Sequence, residues 1–255
     1  MTPPEFVETP ARVYGVVEPM GREVFLAPPV PRRVVEIYVK EGDTLKTNQP
    51  ILRLESELEQ QEVEIARLRL AEMQAQHAMT LDQLKRKKTL SGQNAIPEFE
   101  YSQLKLKAEY EKAVLKRLQG ELKRAETQLN RLTLRAPLNG VLYKFDVRLG
   151  EYLTPQDYRR IVIGSPQKQA RLFVEVYWRD RFQIGDQLLV KDSETMDIIG
   201  KARVIQIAPY VGSRDFRTED PSERLDVKYQ QVIVEVESNT KIPIGLLVLT
   251  EKLEK

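Results

Sequence analysis

Two stretches with the same seven-residue periodicity, separated by a short turn, dominate this sequence. In the second stretch, mostly apolar side chains recur at alternating spacings of four and three, the spacing that lets two helices pack along a shared seam. These positions are Leu104, Ala108, Glu111, Leu115, Leu118, Leu122, Ala125, Leu129 and Leu132. Residues 55–132 are therefore predicted to form two long helices that fold back on each other.

The first arm of this hairpin repeats the spacing less regularly. We predict its seam at Leu54, Leu58, Gln61, Ile65, Leu68, Glu72, Ala75, Met79 and Asp82. Residues 91–94 supply the turn, and Pro97 is tolerated because it lies near a helix start. Arms of roughly 35 residues would project roughly 50 Å at the helical rise of 1.5 Å per residue. A solvated coiled-coil spacer without a binding role is the simplest alternative for this stretch.

A repeat flanks the hairpin. Shifting residues 29–45 by 108 positions aligns similar residues on the two sides of the helices. The aligned pairs are Pro29 with Pro137, Val39 with Val147, Gly42 with Gly150, Asp43 with Glu151, and Leu45 with Leu153. A repeat interrupted by an insertion suggests two halves that pair into one small β unit. The hairpin then emerges from a loop of that unit.

The last third of the chain is predicted to be all-β. Alternating apolar residues at 172–176 and 232–236 are typical of half-buried strands, and glycine and proline separate these segments. Several short strands within about 90 residues favour a small barrel or sandwich. We place this β-barrel at residues 165–255, with strand 13–19 as a candidate addition.

Composition excludes several functional classes. The net charge is +2 with 31% charged residues, and bases alternate with acids, which argues against a nucleic-acid partner. Cysteine is absent, and His77 is the only histidine, so we expect no thiolate or histidine metal site and no cofactor. No phosphate-binding or dinucleotide motif is present. We therefore expect a protein that is not an enzyme.

The order of half β unit, helical hairpin, half β unit and β-barrel resembles the periplasmic adaptor proteins, or membrane fusion proteins, of the haemolysin-secretion type. Their lipoyl-like domain carries two signatures, which correspond here to residues 39–45 (Val-Lys-Glu-Gly-Asp-Thr-Leu) and 134–141 (Leu-Arg-Ala-Pro-Leu-Asn-Gly-Val). Residues 15–24 further resemble the subfamily that works with ABC-type exporters. The resemblance implies a mixed fold in which the hairpin, residues 55–132, is inserted in a lipoyl-like domain. That domain would comprise residues 22–54 and 133–164.

The resemblance also implies a function. Such a chain would link an inner-membrane transporter, here of the ABC type, to an outer-membrane exit duct, and six copies would form a ring. It would lie in the periplasm, anchored to the inner membrane by an N-terminal segment that is missing from this chain. Two alternatives are a coiled-coil tether without a transport role and a lipoyl or biotinyl carrier. A carrier lysine is expected on a hairpin between the two β halves, whereas Lys46 follows the Gly42-Asp43 turn.

The hairpin tip is the expected binding site for the duct. Adaptors of this kind often carry Arg-Leu-x-x-Leu near the tip, followed by a serine. In this sequence Arg86 and Leu90 match the pattern, Lys87 replaces the second residue, and Pro97 stands where serine is usual. The candidate partner-binding residues are therefore Arg86, Leu90, Ile96 and Pro97.

Overall fold

The computed structural model describes residues 11–91, 98–212, 228–237 and 242–253. It is a mixed fold with one helical hairpin and several β-sheets, as expected. In the described part of the chain, neither long helix holds an apolar stretch sufficient for crossing a bilayer.

Strands occupy both ends of the chain, and the two long helices follow one another between them. In chain order the elements are β1 (Arg12–Pro19), β2 (Val24–Leu26), β3 (Arg32–Ile37), β4 (Thr44–Leu45), β5 (Pro50–Leu54), α1 (Glu57–Ser91), α2 (Glu98–Asn130), β6 (Thr133–Arg135), β7 (Gly140–Phe145), β8 (Tyr152–Leu153), β9 (Ile161–Gly164), β10 (Lys168–Glu175), β11 (Gln187–Asp192), β12 (Ile198–Gly212), β13 (Tyr229–Val236) and β14 (Leu247–Lys252).

The strands on the two sides of the hairpin form a pseudo-symmetric unit, which we call the split β unit (β2–β9). One sheet has the order β2-β9-β7-β4 and the other β6-β5-β3-β8. The 108-residue shift maps β3 onto β7 and β4 onto β8, so each sheet contains strands from both halves. Matching turns are bonded in the same way: Gly42 N donates to Leu142 O at 2.8 Å, and Gly150 N donates to Val34 O at 2.9 Å. The structure thus confirms the internal repeat.

The hairpin leaves the split β unit through two neighbouring strands. Arg53 of β5 is paired with Thr133 of β6, and Leu54 N donates to Leu132 O at 2.9 Å. Arg32 of β3 forms an ion pair with Glu59 on the first turn of α1 at 2.8 Å. The base of the hairpin is therefore fixed to both halves of the unit.

The remaining strands form a closed barrel with the order β1-β10-β13-β12-β11-β14. Its interior is filled by inward-facing aliphatic side chains such as Val17, Leu172 and Val234. Gly15 on β1 is needed for this packing, because a Cβ there would lie 2.5 Å from the Leu172 side chain. Strand 13–19 of the sequence is thus part of the barrel wall.

The two helices pack along a seam, and the structure confirms the predicted positions on α2. Ala108, Glu111, Leu118 and Ala125 are buried, and the other α2 seam positions are partly buried.

The predicted seam of α1 is wrong. Leu58, Ile65, Leu68 and Met79 are 49–67% exposed. The helix instead turns toward α2 a stripe that is offset by one or two residues, at Glu59, Val63, Ala66, Leu70, Met73, His77, Thr80, Leu84 and Lys87, with the buried Ser56 just before the helix. This stripe has the same seven-residue spacing but contains small and polar residues, so its apolar signal in the sequence is weaker.

Candidate functional site

The hairpin tip carries a concentration of positive charge. Lys85, Arg86, Lys87 and Lys88 are consecutive in the last turns of α1. Lys87 Nζ lies 2.8 Å from Glu100 Oε2 on α2, so this cation joins the arms. The Arg86 side chain is 77% exposed and its Nε lies 2.9 Å from Asp82 Oδ2. The partial motif in the sequence points to Arg86 alone, whereas the structure shows it within a run of four cations.

The predicted tip residues differ in what the structure describes. Arg86 points to solvent as expected, and the helical backbone of α1 continues through Leu90. The Leu90 side chain, Ile96 and Pro97 lie outside the described residues. Phe99, at the start of α2, is 70% exposed near the same tip and was not selected from the sequence. The described part of the tip therefore offers an exposed guanidinium and an exposed aromatic ring.

A buried carboxylate lies in the seam toward the middle of the hairpin. The Glu111 side chain is 3% exposed. Thr80 Oγ1 donates to its Oε1 at 3.0 Å, Gln76 Nε2 donates to the same oxygen at 3.4 Å, and His77 Nδ1 lies 3.4 Å from Oε2. Lys107 Nζ approaches within 4.0 Å. We call this group the seam polar cluster; a buried polar group of this kind favours the one register that satisfies it.

The end of the barrel farther from the hairpin bears exposed aromatic and aliphatic side chains. A 3₁₀ segment, Val176–Arg181, follows β10 at the same end at which β1 begins. Tyr177 is 86% exposed, Ile184 71% and Tyr210 77%. These three residues form what we call the barrel-end patch. Arg181 stacks on the nearby Trp178 in a cation–π contact, with its guanidinium carbon 4.1 Å from the ring centroid.

Between the barrel and the split β unit lies a cleft of about 520 Å³. Phe25 and Tyr158 line it in an edge-to-face arrangement, with ring centroids 5.9 Å apart. Burial and the nearby Glu18 carboxylate raise the pKa of Glu23 at this cleft. Burial raises the pKa of Tyr143, whose hydroxyl donates to Ser165 O at 2.7 Å. The cleft holds no arrangement of nucleophile and base among its described lining residues.

A charged group lies on the exposed surface of the paired strands β3 and β5 in the split β unit. Hydrogen bonds from Arg53 and Tyr38 lower the pKa of Glu36 to about 2. The three side chains lie on strand ends at the surface, where an ion pair contributes little to stability. We assign them no binding role.

Comparison with known proteins supports the fold. No family profile matches the chain, and curated proteins give no match. Among solved structures, the membrane fusion protein Spr0693 from Streptococcus pneumoniae has a TM-score of 0.67 at 14% identity. The alignment covers 96% of this chain and 99% of that protein. MacA from Actinobacillus actinomycetemcomitans has a TM-score of 0.70 at 17% identity, with 97% and 79% covered.

A third similar structure is ZneB from Cupriavidus metallidurans, with a TM-score of 0.53 at 16% identity, covering 97% of this chain and 99% of that protein. The fold is that of membrane fusion proteins. The expected likeness to such adaptors is thus confirmed for the fold, while the haemolysin-secretion subfamily stays a prediction.

Proposed function

We propose that this chain is a periplasmic adaptor that links an inner-membrane transporter to an outer-membrane exit duct. The transporter would be of the ABC type and the adaptor of the haemolysin-secretion type, with no catalytic role of its own. Six copies around one axis would place the hairpins side by side as a tube. An N-terminal segment would hold each copy at the inner membrane.

The observation that carries this proposal is the insertion of a long hairpin between two halves of one β unit, with a barrel at the opposite end. An α-helix of 35 residues spans about 50 Å. Because Arg53, before the first helix, pairs with Thr133, after the second, both arms of the hairpin are fixed at its base. Such a molecule presents two surfaces far apart, the tip and the barrel-end patch, which suits a bridge between two partners.

The two surfaces have different chemistry. The tip offers the exposed Arg86 within a basic run and the exposed Phe99 between Glu98 and Glu100, a mixed surface that suits the polar end of another helical hairpin. The barrel-end patch offers Tyr177, Ile184 and Tyr210. Aromatic side chains are enriched among the residues that contribute most of the binding energy at protein interfaces. We assign the tip to the duct and the barrel-end patch to the transporter.

The double variant Arg86→Glu, Leu90→Asp tests the assignment of the tip. We expect it to abolish export while the protein still folds and copurifies with its transporter; at Arg86, whose side chain is 77% exposed, a charge reversal rarely costs more than about 0.5 kcal/mol. Arg69→Glu, an exposed position nearer the base of α1, is the matched control and should export normally. Export at the wild-type rate by a normally expressed double variant would refute docking through the tip.

A further inference from the structure

The cleft between the barrel and the split β unit has a floor made by one face of a sheet. Phe25 of β2, Val162 of β9 and Lys144 of β7 are paired across three adjacent strands. Directly paired residues of antiparallel strands point to the same face of a sheet, so these side chains share the face that lines the cleft. Ile161 and Ile163 alternate with Val162 and point the other way, into the core of the split β unit. The floor is therefore apolar at Phe25 and Val162 and cationic at Lys144.

Two aromatic rings on this floor are exposed. Phe25 is 45% exposed and Tyr158 is 44% exposed, whereas Val162 beside them is only 6% exposed. The rings meet edge to face, which leaves ring surface of both turned to the cleft. Sites for small ligands are concave and mostly apolar, with volumes of about 300–1,000 Å³. The volume of this cleft, about 520 Å³, lies within that range.

The barrel supplies the opposite wall through Ile244 and Gly245, which precede β14. Gly245 N donates to Val17 O at 2.8 Å, and Val17 N donates to Leu246 O at 2.9 Å. These two hydrogen bonds fix the wall to β1. Gly245 has a φ of 83°, and a Cβ at this residue would meet no atom within 4 Å. The wall therefore borders open space and does not fill the cleft.

Two cations at the cleft are not neutralised by the chain. Lys144 and Arg159 are both exposed, and neither forms an ion pair with any residue that the structure describes. Arg160, the next residue in the chain, differs because it contacts Glu151 at 2.8 Å. The guanidinium carbon of Arg159 lies 5.5 Å from the centroid of the Tyr158 ring. Positive charge thus lies directly beside the exposed rings.

A carboxyl group lies elsewhere on the lining of the cleft. Glu23 is half-buried just before β2 begins. Burial and the nearby Glu18 carboxylate raise the pKa of Glu23, while Glu18 itself is paired with Arg171 at 2.6 Å. A further negative charge is therefore unfavourable beside Glu23. An anionic group in the cleft would be favoured at Lys144 instead.

Aromatic rings can also bind cations, but the charges of this cleft oppose a cationic ligand. A cation is attracted to the face of an aromatic ring. Arg159 already lies over the Tyr158 ring, and Lys144 shares the floor with Phe25. A positively charged ligand at these rings would meet two like charges. The lining therefore favours a ligand that combines an apolar body with a negative group.

We propose that this cleft binds a small amphipathic anion, an aromatic or alkyl acid. Its apolar body would lie against Phe25 and Tyr158, and its acid group would lie at Lys144 and Arg159. A ligand that also contacts Ile244 would touch both the barrel and the split β unit. The site is separate from the tip and from the barrel-end patch, so it requires neither the duct nor the transporter.

Three probes that share one ring system but differ in charge test the site. Naphthoate is negative, naphthylmethanol is neutral and naphthylmethylammonium is positive. Each is titrated into the full chain by isothermal titration calorimetry. We expect one naphthoate per chain, bound at least tenfold more tightly than naphthylmethanol, and the weakest binding for naphthylmethylammonium. Binding of naphthylmethylammonium as tight as that of naphthoate, or no detectable binding of naphthoate at millimolar concentration, would overturn the proposal.

Substitutions of charged residues locate the acid group of the probe. Lys144→Gln and Arg159→Gln should each weaken naphthoate binding about fivefold and change naphthylmethanol binding less than twofold, because only a charge is removed. Glu23→Gln should strengthen naphthoate binding severalfold, a gain that misfolding cannot produce. Arg148→Gln removes an exposed cation of the same unit that does not line the cleft, and this control should bind naphthoate as the wild type does.

Substitutions of aromatic residues locate the ring system of the probe. Phe25→Ala should weaken the binding of both naphthoate and naphthylmethanol at least fivefold. Tyr152→Ala removes a ring that is 59% exposed in the same unit but does not line the cleft, so this control should change neither affinity. The melting temperature of each variant without probe checks that the fold is retained. Equal losses in Phe25→Ala and Tyr152→Ala, or unchanged naphthoate binding in Lys144→Gln, would contradict the site. Export is not measured, so these outcomes would leave the adaptor role standing.

Discussion

Thr80 and Thr127 are two helical threonines whose hydroxyls lie close to the carbonyl oxygen four residues earlier, at 3.3 Å and 2.8 Å. Only Thr80 is buried and also donates to Glu111. We predict that Thr80→Val lowers the free energy of unfolding by about 1–3 kcal/mol, because the buried carboxylate loses a donor. Thr127→Val should change it by less than about 0.5 kcal/mol. Chemical denaturation of both variants measures the difference, and equal effects would exclude a role for the seam polar cluster.

The heptad spacing predicted that Glu111 lies in the seam. It did not predict which residues form hydrogen bonds with its carboxylate, because it placed Met79 rather than Thr80 on the facing stripe.

The register of helix α1 buries Val63, which is 6% exposed, and leaves Ile65 49% exposed. Val63→Ala should lower the free energy of unfolding by about 2 kcal/mol, because it removes buried methyl groups. Ile65→Ala should have little effect at a concentration at which the chain is monomeric. Thermal unfolding of the two variants tests the register, and a larger loss of stability for Ile65→Ala would restore the seam predicted from the sequence.

Periodicity predicted both helices and the seam of α2, where leucines dominate the buried stripe. It failed on α1 because the stronger apolar stripe there lies on the outer face, so spacing alone could not say which stripe meets the partner helix.

The whole molecule places its two candidate binding surfaces at opposite ends, with the split β unit between them. The 108-residue repeat made that unit predictable, because matching turns such as Gly42 and Gly150 occur in both halves. The closure of the barrel was harder to predict from the sequence, because β1 pairs with β10 and β14, strands about 150 or more positions later in the chain. The orientation of the tip side chains also could not be predicted from the sequence, because a partial motif around Arg86 does not determine which of its neighbours are exposed.

In the proposed role, one end of the molecule meets an outer-membrane protein and the other end an inner-membrane protein. A photo-crosslinking phenylalanine analogue can replace Phe99 at the tip or Tyr177 in the barrel-end patch, both of which are exposed aromatic residues. After irradiation of intact cells, the adducts are separated by membrane fractionation and identified by mass spectrometry. The adaptor role predicts that the Phe99 adduct contains an outer-membrane duct protein and the Tyr177 adduct an inner-membrane transporter. Adducts from both positions with the same partner, or with none in either membrane, would contradict it.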